Sequence, residues 1–234
     1  MARKIKRKLS KEQKSLLIGM LIGDGTITKH PDYKISHSGE QEEYLKWKIA
    51  LLDGYELING GFKEYIQKCG YKIGERVVYV RVKTNPTIKA LRRTIYTPSK
   101  TITRKLLNWL TPRELAIWYM DDGCMNINSS KQRTSVQHTC KIATCVDKKT
   151  VDIIIDYFLD VWGIKFRPFN EGKNTFSIAT SSETDCFKFV SLIKNYVEQV
   201  PSLLYKIRDD FTKEEFKAYQ KTDNFRSARH LIGG

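Results

Sequence analysis

The sequence lacks the features that define several large classes of protein. No apolar run approaches the roughly 20 residues of a membrane-spanning helix, and no hydrophobic stretch near the start resembles a secretory signal. The 5 cysteines are an odd number without a Cys-x-x-Cys pair, which disfavours a disulfide framework or a zinc site. The 4 histidines show no ligand spacing and are expected in loops or on the surface. We expect an intracellular protein with reduced thiols, away from membranes, in a compartment that the sequence does not specify.

A large excess of positive charge is the first indication of function. The 234-residue chain carries 41 Lys and Arg against 26 Asp and Glu, a net charge of +15. Residues 1–110 contain 23 basic and 10 acidic residues, whereas residues 111–234 contain 18 and 16. Such an excess usually means a polyanionic partner, most often a nucleic acid. The basic opening arm, residues 1–14, can lie along phosphates or serve as an address signal, and the sequence does not separate these two roles.

Two nine-residue runs resemble each other and organise the chain. Residues 17–25 read LIGMLIGDG and residues 115–123 read LAIWYMDDG, so each apolar run ends in Asp-Gly. A capping-box sequence precedes each run, SKEQ at 10–13 and TPRE at 111–114. The glycine at the end of each run is a helix stop. The sequence therefore predicts two capped helices that both end in Asp-Gly.

The elements that follow each run also match. The first half is predicted to contain a strand at 33–37, a helix at 40–56, strands at 61–68 and 76–83, and a helix at 86–95. The second half is predicted to contain a strand at 140–144, a helix at 147–162, strands at 165–170 and 175–180, and a helix at 183–197. A repeat of about 100 residues is too long for a solenoid, so we predict an α+β fold of two pseudo-symmetric halves. The predicted divisions are an arm at 1–14, halves at 15–105 and 106–221, and a tail at 222–234.

The two Asp-Gly helix ends form the sharpest candidate site. If the helices pack side by side, Asp24 and Asp122 meet, and two adjacent carboxylates repel each other unless a cation lies between them. Mg²⁺ prefers such hard oxygen ligands, and the carbonyls of Gly23 and Asp121 offer further oxygens. A metal-bound water can then attack a phosphodiester while the metal stabilises the leaving oxygen. A single Asp-Gly end is more often a simple helix stop, but its duplication in a basic protein favours a metal site.

The helix faces next to this site are expected to differ between the two halves. Gly19 and Gly23 lie four residues apart, on one face of the first helix, and permit close approach of a second helix. The second run has Ile117 and Asp121 at these positions. We therefore expect helix packing that is not fully symmetric.

The two runs together resemble the paired signature of LAGLIDADG homing endonucleases. With two copies in one chain, and with matching elements over residues 10–210, the sequence is similar to the single-chain, monomeric members, which are often encoded in introns. The resemblance implies two αββαββα halves joined at the motif helices, each with a saddle-shaped antiparallel sheet along the DNA major groove. It also implies cleavage of both strands of a long asymmetric duplex site, with Mg²⁺ or Mn²⁺ and with short 3′ overhangs. Asp24 and Asp122 fall on the family's metal-binding positions.

The resemblance further implies a basic residue near each active site, late in each half. Lys100 and Lys206 occupy these places. A lysine there can orient the attacking water or balance charge at the scissile phosphate. The family also tends to carry a polar strand residue, often Gln, near that water. Ser36 and Ala143 stand there instead, so the sequence departs from the family pattern at this position.

Alternating strand residues suit DNA recognition independently of the resemblance. In residues 78–83 (VYVRVK) the valines alternate with Tyr, Arg and Lys, so one face suits a core and the other a DNA groove, where Arg or Lys can bond guanine. Residues 164–167 and 62–67 alternate similarly, with Phe62 and Ile66 on the core side. An ordinary polar sheet face is the alternative for any single residue. The predicted nucleic-acid contacts are Lys34, Lys63, Tyr65, Tyr79, Arg81, Lys83, Lys141, Lys165 and Arg167.

Three functions fit these features. The prediction is a site-specific endonuclease acting on double-stranded DNA. The main alternative is a maturase that binds intron RNA on the same fold, and the third is a DNA-binding protein that has lost catalysis. The presence of both Asp24 and Asp122 favours the nuclease without excluding a dual role. The Cys and His-Asn junctions of a self-splicing intein are lacking, so we expect a free-standing enzyme whose target sequence and host stay open.

Overall fold

The structure of the protein, a computed structural model, consists of two halves with the same order of elements. It describes residues 9–28, 33–52, 57–68, 73–96, 101–128 and 137–208. The first half contains α1 (Lys11–Ile22), β1 (Thr26–Ile27), β2 (Tyr33–Ser38), α2 (Glu42–Leu51), β3 (Lys63–Ile66), β4 (Arg76–Val82) and α3 (Pro86–Ile95). After the short helix α4 (Arg104–Leu107), the second half contains α5 (Pro112–Asp122), β5 (Gly123–Asn128), β6 (Gln137–Val146), α6 (Lys148–Trp162), β7 (Phe166–Gly172), β8 (Thr175–Thr180) and α7 (Glu183–Val197). The predicted α+β fold with two αββαββα halves is confirmed.

Each half contains an antiparallel four-stranded sheet with the same topology. The strand orders are β1-β2-β4-β3 and β5-β6-β8-β7. Lys34 pairs with Thr26 in the first sheet, and Lys141 pairs with Cys124 in the second, so the two lysines occupy equivalent positions. The residue pattern did not reveal β1 or β5. With two residues β1 is too short to carry a pattern, and β5 (GCMNIN) is rich in Gly and Asn, which are depleted in strands.

The two motif helices, α1 and α5, pack against each other in the centre of the molecule. Both predicted capping boxes are present; in the first, the Ser10 hydroxyl accepts the Gln13 N–H at 3.0 Å. Every residue is buried over 15–22 in α1 and over 114–120 in α5. A helix that is buried all round belongs in a protein interior. The two helices therefore form part of one hydrophobic core that continues through both halves.

The approach of α1 to α5 depends on glycine. A Cβ at Gly19 would lie 2.7 Å from the Cβ of Glu114, which is closer than such atoms approach. Nearer the start of α1, the Ser15 hydroxyl donates to the Trp109 carbonyl at 2.6 Å and links the halves again. The close approach predicted from the glycines is confirmed, and it holds the ends of the two helices in a fixed relation.

The strand faces separate a core side from a polar side. In β4 the valines at 78, 80 and 82 are buried while Arg81 is exposed, and in β7 Phe166 is buried while Arg167 is exposed, as predicted. The prediction for Ile66 was wrong, because this side chain is 55% exposed. The reason is that β3 is an edge strand whose four residues are all exposed.

The predicted division of the chain can be placed only in part. Helix α1 begins at Lys11, inside the segment predicted as a basic arm, and α4 spans the boundary predicted at 105. Residues 1–8 and the predicted tail lie outside the described residues, so these divisions stay predictions. Within the described ranges, no helix has the length and apolar character needed to cross a membrane.

Candidate active site at the paired helix ends

A glycine caps each motif helix: Gly23 follows the end of α1, earlier than the predicted stop at Gly25, and Gly123 follows the end of α5. The Gly25 N–H bonds to the Met20 carbonyl at 2.7 Å, and the Gly123 N–H bonds to the Tyr119 carbonyl. A Cβ at either glycine would overlap these same carbonyls. Asp24 therefore lies two residues past the end of α1, whereas Asp122 is the last residue of α5, and β1 or β5 begins within two residues of each.

The two helix ends meet through Asp121. One carboxylate oxygen of Asp121 (Oδ2) accepts the backbone N–H of Asp24 at 3.1 Å. The carboxylate reaches this position across Gly23, where a Cβ would overlap it. The asymmetry predicted from Gly23 and Asp121 thus takes a definite form: the larger residue of the second motif enters the space left by the smaller residue of the first.

The other oxygen of Asp121 (Oδ1) lies in a buried polar network. It accepts hydrogen bonds from the Tyr44 hydroxyl at 2.8 Å and from the Lys48 ammonium at 2.5 Å. The side chains of Lys48 and Asp121 are both 0% exposed. Burial raises the pKa of Asp121, but the charge of Lys48 and these hydrogen bonds outweigh it and hold the pKa below its usual value. Asp121 is therefore an ionised carboxylate inside the protein.

His37 connects this network to the carboxylate of Asp24. Its Nε2 lies 3.0 Å from the Lys48 ammonium, which can only donate, so Nε2 accepts. The ring hydrogen then lies on Nδ1, which faces the Asp24 carboxylate at 3.5 Å. Burial and the charge of Lys48 lower the pKa of His37 to about 3, so the ring is neutral.

The sequence-based expectation for the histidines was therefore wrong where it can be examined. His37 lies in β2 and His138 in β6, and each is 5% exposed; His30 and His230 lie outside the described residues. Sequence reasoning also missed Tyr44 and Lys48. The one available signal was their spacing of four on α2 beside Leu45 and Ile49, which puts a lysine on a helix face that is otherwise apolar.

Lys206 occupies the corresponding region of the second half. Its ammonium donates to the carbonyl of Met120 at 2.5 Å and lies 3.4 Å from that of Asp121, so it sits at the C-terminal end of α5, where a cation is favourable. Burial lowers the pKa of Lys206, while the nearby carboxylates of Asp121, Asp122 and Asp24 oppose the shift. Lys206 thus lies at the same helix end as Asp122, the last residue of α5. Lys100 lies outside the described residues.

The donors at the helix ends fit a hard divalent cation. Asp24, His37 and Asp121 offer ligand atoms within 4.8 Å of one another. Both oxygens of Asp121 and Nε2 of His37 already take part in hydrogen bonds, whereas the Asp24 side chain is 42% exposed. The arrangement suits Asp24 as a ligand with the other two groups fixing it from behind, as outer-shell partners do in metal sites. The roles predicted for Asp24, Asp122, Gly23, Asp121 and Lys206 stay predictions.

The polar face of the first sheet is basic and aromatic. The ammonium of Lys34 lies 4.7 Å from the ring centres of both Tyr65 and Tyr79 and 3.4 Å from the Tyr65 hydroxyl. Arg81 pairs directly with Lys34 across the strands and is exposed, as are Lys63 and Lys83. Five of the predicted nucleic-acid contacts thus share one surface, with Lys83 just beyond the end of β4.

The equivalent face of the second sheet differs. Lys141 is 3% exposed, its ammonium lies 2.7 Å from the carboxylate of Glu171, and it covers the Phe169 ring at 4.0 Å. Ala179 pairs with Lys141, at the place that Arg81 holds in the first sheet. Arg167 also pairs with Ala179, from β7, so it lies in the same cross-strand row as Lys141 but is exposed, as is Lys165 just before β7. Lys141 thus differs from the exposed contacts beside it by its burial and its ion pair with Glu171, and its role stays a prediction.

The fold and the paired helix ends define an α+β protein with two motif helices in one chain. Residues 14–187 match the LAGLIDADG DNA endonuclease family, and the chain belongs to that family. Two motif helices and two sheets in a single chain are the arrangement of its single-chain, monomeric type.

The chain is also similar to curated relatives and to solved structures. The chain is 28% identical over 218 residues to a RecA protein of Mycobacterium shimoidei, an alignment that covers 87% of this chain and 48% of the relative, so the chain spans about half the length of such relatives. It is 26% identical over 132 residues to the DNA endonuclease I-ChuI of Chlamydomonas applanata, covering 50% of this chain and 60% of the relative. Its fold is similar to that of the homing endonuclease I-WcaI bound to its DNA recognition sequence, with a TM-score of 0.72, 22% identity and coverage of 88% and 89%.

Proposed function

We propose that the chain is a site-specific endonuclease that hydrolyses both strands of a long asymmetric DNA duplex with a divalent cation. The observation that carries the proposal is the meeting of two motif helix ends, each with an aspartate, beside a buried lysine. The basic and aromatic face of the first sheet supports a duplex as the substrate, because Arg and Lys on a strand can read a major groove. Cleavage with short 3′ overhangs, by a monomer, is part of the same proposal.

The residues of the site have distinct tasks in this reaction. Asp24 and Asp122 would hold Mg²⁺, or Mn²⁺ in its place, and the metal would activate a water and stabilise the leaving oxygen. His37 orients the Asp24 carboxylate through its Nδ1 hydrogen. Lys206 adds positive charge at the end of α5, where negative charge develops on the phosphate. Lys100 is proposed for the matching task in the first half.

The test begins with a supercoiled plasmid pool that carries long random inserts. Wild-type protein with Mg²⁺ is expected to linearise a subset of these plasmids, and the inserts of that subset define the target sequence. Asp24→Asn and Asp122→Asn should abolish linearisation while specific binding stays within about tenfold, or roughly 1.4 kcal/mol. The matched control is Asp160→Asn, which alters an exposed aspartate paired with Arg104. Full cleavage by either motif variant would refute the assignment of the site.

Cation and competitor experiments separate the alternatives. Ca²⁺ should support binding with little cutting, and equal turnover in EDTA would exclude a metal-dependent reaction. A structured intron RNA should compete less well than the selected duplex at equal salt, since the major groove of A-form RNA is too deep and narrow for this readout. Tighter binding to the RNA would favour a maturase. Specific duplex binding without any cleavage would favour a DNA-binding protein without catalysis.

A further inference from the structure

Asp121 is a residue of the second motif, but its carboxylate contacts groups of the first half. Its two oxygens bond to the Asp24 backbone, to Tyr44 and to Lys48, all of which are first-half groups. The equivalent position in the first motif is Gly23, which has no side chain that could make the reciprocal contact with the second half. The contact is therefore made in one direction only.

A contribution to stability does not by itself explain a buried ion pair at this position. Removing two charges from water is expensive, and a well-packed apolar pair of similar volume is often equally stable. Glycine at position 23 is a further requirement, because a Cβ there would overlap the Asp121 carboxylate. These features favour a role in the site beside the network over a role in folding.

The network reaches Asp24 from two sides. Asp121 fixes the backbone of Asp24 at 3.1 Å, and Lys48, held by Asp121, fixes the tautomer of His37, which faces the Asp24 carboxylate at 3.5 Å. A shift of a ligand by a fraction of an ångström is enough to slow a positioned reaction. Asp24 therefore depends on a side chain that arrives only when the second half docks.

We propose that Asp121 is a positioning residue of the first-half centre, supplied across the helix interface by the second motif, and that its loss slows the cutting of one DNA strand more than the other. The inference rests on the proposed endonuclease function. The centres at Asp24 and Asp122 are then unequal. Asp121 of the opposite half supports Asp24, whereas the residue equivalent to Asp121 that could support Asp122 is Gly23.

The test uses the double variant Lys48→Met/Asp121→Ala, which removes both charges and so leaves neither one buried without its partner. The substrate is the selected plasmid, with each strand end-labelled in turn. The strand that Asp24→Asn slows most should be cut at least tenfold more slowly by the double variant, and nicked circles should accumulate. The matched control is Ser15→Ala, which breaks a link between the halves near the start of α1 and should cut both strands at the wild-type rate.

A second measurement needs no DNA and no metal. Hydrogen exchange of the Asp24 amide, followed by NMR, should be at least tenfold faster in the double variant, since Asp121 no longer accepts its hydrogen bond. The Gly23 amide, bonded within α1 to the Gly19 carbonyl at 3.2 Å, is the internal reference and should not change. The variant Lys48→Met/Asp121→Asn keeps an acceptor oxygen and should return both measurements toward wild type.

These outcomes test the positioning role of Asp121 separately from the proposed endonuclease function. Equal slowing of both strands, or an unchanged Asp24 amide in the folded double variant, would overturn the positioning role. A wild-type protein that cuts no plasmid would refute the endonuclease, and the amide measurement would still decide whether Asp121 fixes Asp24.

Discussion

The two halves share one fold, but their equivalent lysines, Lys34 and Lys141, lie in different environments. Lys34 lies between two tyrosine rings on a face that also carries Arg81, whereas Lys141 is almost completely buried against Glu171. The same difference appears in composition, with a net charge of +13 in residues 1–110 and +2 in residues 111–234, from 23 basic less 10 acidic and from 18 less 16. The two halves thus share a backbone fold, whereas one sheet has a positive face and the other pairs part of its positive charge with Glu171. Two unlike faces suit an asymmetric target better than a palindrome.

The buried lysines give the strongest comparison between the halves. Lys48→Met leaves the Asp121 carboxylate charged and fully buried, so we expect a loss of about 3–5 kcal/mol in the free energy of unfolding. Lys141→Met should cost clearly less, because the Glu171 side chain is 19% exposed and can be hydrated. Urea unfolding of both variants measures the difference. Equal losses would mean that the Lys48–Asp121 and Lys141–Glu171 pairs contribute equally to stability in spite of their different burial.

The fold was largely predictable because its signals are local. Capping boxes, apolar runs and the alternation in residues 78–83 each depend on neighbours a few residues apart. At the site, the duplicated motif marks Asp24 and Asp122 and the family resemblance marks Lys206, whereas Asp121 was expected to act only through its carbonyl. The contact between Lys48 and Asp121 joins residues 73 positions apart and depends on how closely α5 approaches Gly23. Periodicity puts Lys48 on the buried face of α2 and His37 on the buried face of β2, but it does not reveal that these side chains meet Asp121 and Asp24.

Gly23→Ala tests the one-directional contact at the interface. The added methyl would overlap the Asp121 carboxylate, which is held by buried partners, so we expect a loss of about 1–3 kcal/mol in unfolding free energy. Gly39→Ala is the control, since its Cβ would meet an exposed side chain, Arg76, at 3.1 Å, without the overlap that Asp121 causes at Gly23. In the Lys48→Met/Asp121→Ala background, Gly23→Ala should cost less. A cost that is unchanged there would show that Asp121 is not what excludes a side chain at position 23.

Lys206→Met tests the second-half centre alone. Removing the ammonium at the end of α5 should slow cleavage more than tenfold, which corresponds to about 1.4 kcal/mol, without a comparable loss of DNA affinity. Lys194→Met, at an exposed lysine of α7, is the matched control and should cut at the wild-type rate. Lys100→Met should behave like Lys206→Met. Wild-type rates for both would make these lysines structural or surface residues.

Arg81→Ala and Arg167→Ala compare the two sheets as readers of DNA. Arg81 lies exposed beside Lys34, so its loss should relax base preference at one cluster of positions in one half-site, by about 1 kcal/mol, the low end for a bidentate contact. Arg167→Ala should act on the other half-site. A cleavage library and the salt dependence of binding measure both effects. If Arg81 contacts only a phosphate, the variant will instead weaken all sequences alike and reduce the salt slope by about one unit. Because the first sheet carries more positive charge on this face, we expect its half-site to contribute the larger share of the salt dependence.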